Sequence, residues 1–416
     1  MRHLVYLLAA LALVANAEPR EPVWSLVQKE KPALIETLRE LVNIESGSHD
    51  REGLESIAGV IAKRLAALGA KVELLEPNDG VRLFDTPPFV AKVVVGRLQG
   101  TGRSRILLLA HMDTVYARGT LAKRPYRVEG SRAYGPGIAD DKGGIALILH
   151  ALNLLKTLNV RDYGELTVMI NADEEVSSAG SRNFITRLAA EHDFALSCEA
   201  TSVERDELQG TTAGLAAVTL TVRGRAAHAG VNPEFGRNAL VELAHQIMQT
   251  LDLGDPSRGI KFNWTLAKAG SVRNAIPAEA IANADVRVLR IADYDGVEKA
   301  LRERVKKKLI PETQVEVVFE RRRPPLELTA QSRALAAKAQ TLYGELGKKL
   351  LFRDVAAGGG TDAAFAALSG KPAVLEGFGL AGFGQHSPEE EYVELGSIEP
   401  RLYLLTRLII ELAQGR

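Results

Sequence analysis

The sequence predicts an α/β fold: a mostly parallel sheet layered between helices, with a smaller α+β unit inserted into it. Three observations predict it. Apolar strand-like runs alternate with amphipathic helices through residues 24–198. Within residues 212–323 the order changes to β-α-β-β-α-β, the split ferredoxin-like unit. The α/β pattern then resumes to the end. A chain of 416 residues is too long for one ordinary core, and a main layer split into 18–211 and 324–416 around the insert accounts for the length.

The first helix is predicted over residues 24–43, where Leu26, Leu34, Leu38 and Leu41 share one face. A second spans 55–68 and stops at Gly69, a residue suited to a helix C-cap. Apolar runs at 71–75, 89–95 and 105–110 read as strands. The helix after Asp140-Asp141-Lys142-Gly143-Gly144 carries Ile145, Leu147, Ile148 and Leu152. A strand at 165–171, a helix at 181–191 and a strand at 194–198 complete this stretch. In the insert, 215–222, 261–269, 278–289 and 315–321 read as strands, and 238–251 and 294–309 as helices. Helices at 332–346 and 400–414 close the chain.

At 46% hydrophobic and 25% charged residues, the composition is that of a soluble globular protein. Lys+Arg and Asp+Glu number 52 each, so the zero formal charge leaves no footprint for nucleic acid or an anionic membrane. The basic run from Arg302 to Lys308 sits in a helical pattern and reads as a solvated face. Met1-Arg2-His3, an apolar stretch over 4–15 and Ala15-Asn16-Ala17 together predict an export signal over residues 1–17. The apolar stretch is too short to remain as a membrane span, so the protein is expected in the periplasm or outside the cell. Cys198 is the only cysteine, which rules out a disulfide within the chain; alternation turns it away from Glu199 and into packing, as an inert thiol.

Chemistry-bearing residues recur at predicted strand ends. The strand at 105–110 delivers His111-Met112-Asp113. Residues two apart on an extended chain face the same way, so Asp113 can orient the ring of His111 while His111 coordinates a cation. The loop Gly135-Pro-Gly-Ile-Ala-Asp-Asp-Lys-Gly-Gly144 opens a helix; Asp141 suits a helix cap, which leaves Asp140 free to bridge two cations. Asp173-Glu174-Glu175 ends the strand at 165–171, and three adjacent acids repel unless cations compensate them. One of the glutamates can bind metal while its neighbour faces the reacting water. Glu199 follows the strand at 194–198, and Gly382-Phe-Gly-Gln-His-Ser387 places His386 in a late loop. Ligands at the carboxyl edge of an α/β sheet occupy the usual binding position of such folds.

The motifs AHMDTV, GPGIADDKGG, NADEE, SCEA, RAAHAG, GGGTDAA and GFGQHS resemble those of the co-catalytic zinc peptidase family. That family includes folate-hydrolysing glutamate carboxypeptidases, aminoacylases and succinyl-diaminopimelate desuccinylases; the likeness is strongest to the exported bacterial glutamate carboxypeptidases and covers nearly the whole chain. The resemblance implies a zinc-exopeptidase layer with an inserted lid and dimerisation domain, and a homodimer. It implies two Zn2+ per chain, with Co2+ or Mn2+ also suited to such ligands. Asp140 would bridge them, His111 and Glu199 would complete one metal, and Glu175 and His386 the other. Glu174 would be the general base, and Asp113 would orient His111. His228, in the RAAHAG segment, would reach the partner's active site and polarise the scissile carbonyl. Asn274, Arg287 and Arg323 match positions that contact the substrate's carboxylate or carbonyl, with Gly360 and Thr361 in the neighbouring loop.

One departure stands out. Some glutamate carboxypeptidases carry a Lys eight residues after the ligand Glu, where this chain has Glu207. A negative charge there would disfavour a second substrate carboxylate by about 1–3 kcal/mol if partly buried, and so would weaken a preference for C-terminal glutamate.

The expected activity is hydrolysis of an amide bond that releases a C-terminal amino acid from a peptide or N-acyl amino acid with a free carboxylate. The neighbouring alternative is an aminoacylase or dipeptidase. An exported solute-binding protein also has a leader and α/β lobes, but it has no use for five clustered ligands and a spare glutamate.

Overall fold

The computed structural model describes residues 18–89 and 91–415; the export signal expected over 1–17 lies outside them. Helix α1 (Val23–Val42) buries Val27, Leu34, Leu38 and Leu41. Helix α2 (Arg51–Ala67) begins four residues before its apolar periodicity does, because Asp50 caps it by accepting from the Gly53 amide at 3.1 Å. Strands β1 (Lys71–Leu75), β2 (Val93–Gln99) and β3 (Arg105–His111) follow, then helix α3 (Gly143–Thr157). β4 (Glu165–Asn171), α4 (Arg182–Ala189) and β5 (Phe194–Ser197) complete the first stretch. β2 lies further along the chain than the run at 89–95 suggested.

The next elements are β6 (Gly214–Arg223), α5 (Ala239–Met248), β7 (Lys261–Ala269), β8 (Glu279–Val288), α6 (Ile291–Arg304) and β9 (Gln314–Arg323). Helix α7 (Ala330–Gly344), the short α8 (Ala363–Ala367), β10 (Ala373–Leu375) and α9 (Ile398–Ala413) end the chain. Among the described residues, no helix is long and apolar enough to cross a membrane.

The main sheet has the order β1-β2-β4-β3-β5-β10. β3 pairs in parallel with β4 and β5, and β5 in parallel with β10, while β2 runs against both of its neighbours. The fold is therefore the mostly parallel α/β layer that the alternation of elements predicts, with β2 as the opposed strand. Side-chain alternation divides β3 between two cores. Ile106, Leu108 and Ala110 join the cluster formed with α1, α2, α3 and α9, whereas Leu107 and Leu109 join Ile185, Leu188 and Phe365 of α4 and α8. A sheet buried on both faces makes β3 and β4 read as unbroken apolar runs.

The β6–β9 stretch forms its own antiparallel sheet, in the order β7-β8-β6-β9, with a separate core that includes Val218, Leu220, Leu243, Val286 and Leu301. The element order is the β-α-β-β-α-β expected. β7 is an edge strand, and it exposes Leu266 to 67%. A further sheet of very short strands includes Ala381–Phe383 and Tyr392–Glu394, which form an antiparallel hairpin around His386.

Because β3, β4, β5 and β10 point the same way, their carboxyl ends share one edge. His111 closes β3, Asp173-Glu174-Glu175 follows β4, Glu199 follows β5 and Glu376 follows β10.

Candidate metal centre

Two groups of potential ligands meet at that edge. His111, Asp140 and Glu199 form one, and Asp140, Glu175 and His386 the other; within each, the ligand atoms all lie within 4.8 Å of one another. Asp140 belongs to both, and its two oxygens divide between them. Oδ1 lies 2.9 Å from His111 Nε2, and Oδ2 lies 3.3 Å from His386 Nε2. Glu199 Oε1 approaches the same His111 nitrogen at 3.4 Å, and Glu175 Oε2 approaches His386 Nε2 at 3.1 Å.

The backbone is shaped to place these groups. His386 has a φ of 65°, and Ser177 and Ser178, just after the acidic run, have 67° and 50°. Left-handed conformations cost residues that carry a Cβ and persist where surrounding structure enforces them, commonly at functional loops. Asp113 fixes the other side of His111: its Oδ1 is 3.3 Å from Nδ1. It also accepts from the Ser48 hydroxyl at 2.8 Å and from the amides of Glu174 and Glu175 at 3.0 and 3.1 Å. One buried carboxylate thus orients the imidazole and pins the acidic loop. Asp141 lies one residue before the N-cap of α3, which is Lys142, and its side chain accepts from the Gly144 amide in the first turn at 3.2 Å.

The centre carries crowded negative charge. Burial pushes the Glu175 carboxyl up to about 7, against its contact with His386. Burial likewise raises Glu199, and raises Glu174 well above the ordinary carboxylate range although Arg323 and His111 oppose it. Asp140 is held low, because its hydrogen bonds to His111 and His386 outweigh burial. Those same contacts, with Asp140 and Glu175, lift His386 to about 10. Burial works against charge on His111, yet Glu199, Asp113 and Asp140 keep its pKa well above ordinary. Carboxylates this close disfavour ionisation unless positive charge lies among them. Imidazole and carboxylate donors in two adjoining sets, sharing a bridging acid, fit divalent cations of the zinc, cobalt or manganese kind.

Glu174 stands beside the ligands without belonging to either set. The Arg323 guanidinium holds it: one nitrogen lies 2.9 Å from Glu174 Oε1 and donates to the Glu174 carbonyl at 2.7 Å, and another is 2.9 Å from Asp362 Oδ1. Arg323 is 4% exposed, so it is a buried charge and no part of a surface arginine run. Gly360 packs against it; a Cβ there would lie 2.8 Å from Arg323 Cδ and 2.9 Å from the Ala213 carbonyl oxygen. Thr361 donates to Glu376, and Arg287 donates to the Gly358 carbonyl at 2.9 Å while pairing with Asp285. Arg287, Arg323, Gly360 and Thr361 therefore adjoin one loop on the Glu174 side of the centre.

His228 and Asn274 lie elsewhere. His228 pairs across a two-residue ladder with Ala275, and the Ala229 amide donates to the Asn274 carbonyl at 2.9 Å. Both are exposed, and among the described residues no hydrogen bond or ion pair joins either to the ligand groups. Glu207 corrects an expectation. It does not present a free negative charge: it is 3% exposed, bonded by Arg353 and 3.8 Å from Arg205. Cys198 is buried, and burial raises its thiol pKa well above ordinary, as an inert packing residue requires.

Three buried carboxylates escaped the sequence reading. Glu391 accepts from the amides of Gly137, Ala139 and Asp140 at 2.9–3.1 Å and from the Tyr116 hydroxyl at 2.6 Å, so it holds the loop that carries Asp140. Asp362 fixes Arg323 and accepts from Asn171 at 2.7 Å. Glu376 lies next to Glu199, and burial lifts it to about 8. Glu376 had a usable signal, a lone acid directly after a short apolar run. Glu391 is hidden in the acidic run after His386, and Asp362 in a glycine-rich loop.

The chain is similar to known proteins over nearly its whole length. Residues 107–411 match the profile of peptidase family M20/M25/M40. Carboxypeptidase G2 of Pseudomonas sp. (strain RS-16) is 46% identical over 409 residues, covering 98% of this chain and 96% of that protein. Acetylornithine deacetylase of Aliivibrio salmonicida is 28% identical over 61% of this chain and 67% of its own. Among solved structures, a tripeptidase from Staphylococcus aureus superposes with a TM-score of 0.74 at 21% identity, covering 92% of this chain and 99% of that one. An M20 family metallo-carboxypeptidase from Sulfolobus solfataricus gives 0.73 at 16% identity, with the same coverage. At such identities the structural likeness establishes the fold alone. The solute-binding reading finds no support in any of these matches.

Proposed function

The chain belongs to the M20/M25/M40 peptidase family and is a metal-dependent hydrolase, and from this premise we propose that it is a di-zinc carboxypeptidase releasing a C-terminal amino acid, glutamate among its candidates. The observation that carries the reading is the division of Asp140 between two ligand groups, with Glu174 left over beside them. His111, Asp140 and Glu199 would hold one ion, and Asp140, Glu175 and His386 the other. Bound there, divalent cations supply Lewis acidity, acidifying water and polarising a carbonyl.

The protein's own groups do the rest. Glu174 takes the proton of the attacking water and returns it to the leaving amine. Asp113 keeps the His111 ring in register. Arg323 positions Glu174. Arg287 and the Gly360-Thr361 loop take the terminal carboxylate, a fork well matched to that anion. Pairing of Glu207 with Arg353 removes the objection to glutamate as the released residue, and 46% identity to a carboxypeptidase G2 favours it.

Residues 18–211 and 324–416 form the catalytic body, and 212–323 a lid and dimerisation domain. His228 and Asn274 serve the partner's centre, which accounts for their exposure away from their own. Residues 1–17 direct export to the periplasm or beyond. The test is metal analysis of the purified protein and of E174A, with turnover on peptidyl and N-acyl amino acids ending in Glu, Asp, Phe, Leu or Ala. E174A is expected to keep about two ions per chain and to lose roughly 10²–10⁴ in kcat. Undiminished turnover in E174A would remove the assigned base.

A further inference from the structure

At the edge of the main sheet opposite the metal centre, a cavity of about 330 Å3 opens between the ends of α2, β2 and α3 and the start of β4. Its size falls within the range of small-molecule sites, about 300–1,000 Å3. Leu68, Leu98, Leu152, Leu155, Val160 and Leu166 supply apolar wall, and Lys156, Asn159, Arg161 and Tyr163 add polar groups. The whole length of α3, 15 residues or about 22 Å, separates it from the loop that carries Asp140.

Two of the polar groups lack the partners that such groups ordinarily have. Tyr163 is 5% exposed, yet among the described residues its hydroxyl makes no hydrogen bond. A phenol buried to that extent usually finds one. Burial pushes this phenol up, and the Arg161 charge nearby opposes the shift. The Arg161 guanidinium meets the Gln99 carbonyl at 3.5 Å, and Lys156 donates to the Ala67 carbonyl at 2.9 Å. Lys156 thereby offsets the partly negative end of α2, which would otherwise repel an anion. Among the described residues neither cation is paired with a carboxylate. The neighbouring acids are engaged elsewhere: Glu165 pairs with Arg97 and Arg105 at 2.8 and 2.7 Å, and Asp162 accepts from Gln414.

We propose that this cavity is a second binding site, separate from the catalytic centre, for a small monocarboxylate with an apolar body. The carboxylate lies against Arg161 and accepts from the Tyr163 hydroxyl, while the hydrocarbon is buried among the leucines. One charged acceptor gives both groups the partner they lack, and charge-assisted bonds of this kind are the strong ones. A neutral alcohol fills the same space but leaves the Arg161 charge unanswered.

The test is calorimetric titration of the metal-loaded protein with octanoate, phenylacetate and the corresponding alcohols, octanol and phenylethanol. At least one acid is expected to saturate with a Kd of about 1 mM or tighter. The tighter of the two tells whether the body is aliphatic or aromatic. Its alcohol should bind about tenfold more weakly. R161M and Y163F should each weaken the acid about fivefold or more, and V160W, which fills the cavity, about tenfold or more. Arg161 is exposed, so R161M carries the test if either of the others fails to fold. A carboxylate also suits the metal ions, and the variants separate the two sites. Binding that all three leave unchanged belongs to the catalytic centre and overturns the proposal. So does an alcohol that binds as tightly as its acid, or the absence of saturable binding.

Discussion

At the scale of single residues, the centre depends on side chains that touch no substrate. Glu391 satisfies three amides of the loop that carries Asp140, together with one phenol. Removing such an acceptor strands buried donors, at a cost of about 1–3 kcal/mol. Removing a group that supports a ligand weakens metal binding about 10–100-fold. E391A is therefore expected to unfold at a lower temperature and to need more metal for half-maximal activity; a metal titration with an unchanged midpoint would contradict that role. Of the candidate ligands, His111, Glu175 and Glu199 were legible because each follows an apolar strand, and strand ends in a parallel sheet converge; Asp140 and His386 were read from glycine-rich loops instead. Glu391 and Asp362 were not, because the contacts that give them meaning come from segments far away in sequence. Glu207 failed for the opposite reason: its type and position were read correctly, but Arg353, which neutralises it, lies 146 residues further on.

At the scale of elements, helices and long strands followed their periodicity, and their ends were set by caps and pairing. Asp50 starts α2 and Thr329 starts α7, each by accepting an amide within the first turn. The three-residue strands around His386 are too short to show a period, and they exist only because they pair. Contacts between elements also tune stability. Glu30 of α1 lies 2.6 Å from His150 Nδ1 and accepts from Asn153 at 2.8 Å, both on α3. The contact with His150 lowers the Glu30 carboxyl below its ordinary 4.5. A depressed carboxyl contributes stability that is complete above the unfolded value and is lost as pH falls through the folded one. E30Q should therefore melt below the parent at neutral pH, and the gap should close as pH drops below about 4.5. A gap that persists unchanged into strong acid would assign the effect to packing instead.

At the scale of the molecule, the insert presents an edge strand with apolar side chains in water. Leu266 on that strand is 67% exposed; nearby in the chain, Met248 at the end of α5 is also 67% exposed and Leu251 just after it 56%. Open edges bearing apolar groups favour association. The dimer reading therefore expects L266E to elute as a monomer in light scattering while the parent elutes as a dimer. With His228 serving the partner, that monomer should lose roughly 10²–10³ in kcat with its metals retained. A parent that is monomeric and fully active would refute both parts.

The two ligand groups differ in one further respect. His111, Asp140 and Glu199 all precede the insert, whereas His386 follows it. An ion in the first group would tie together the end of β3, the loop before α3 and the end of β5, all within the part of the chain that comes first. An ion in the second would join chain on either side of the excursion, as a staple across the point where the main layer is interrupted. Without that ion, the hairpin bearing His386 would still be held by its pairing with Thr201–Ser202 and Arg132–Tyr134, and its tie to the acidic loop would rest on the contact of His386 with Glu175 alone.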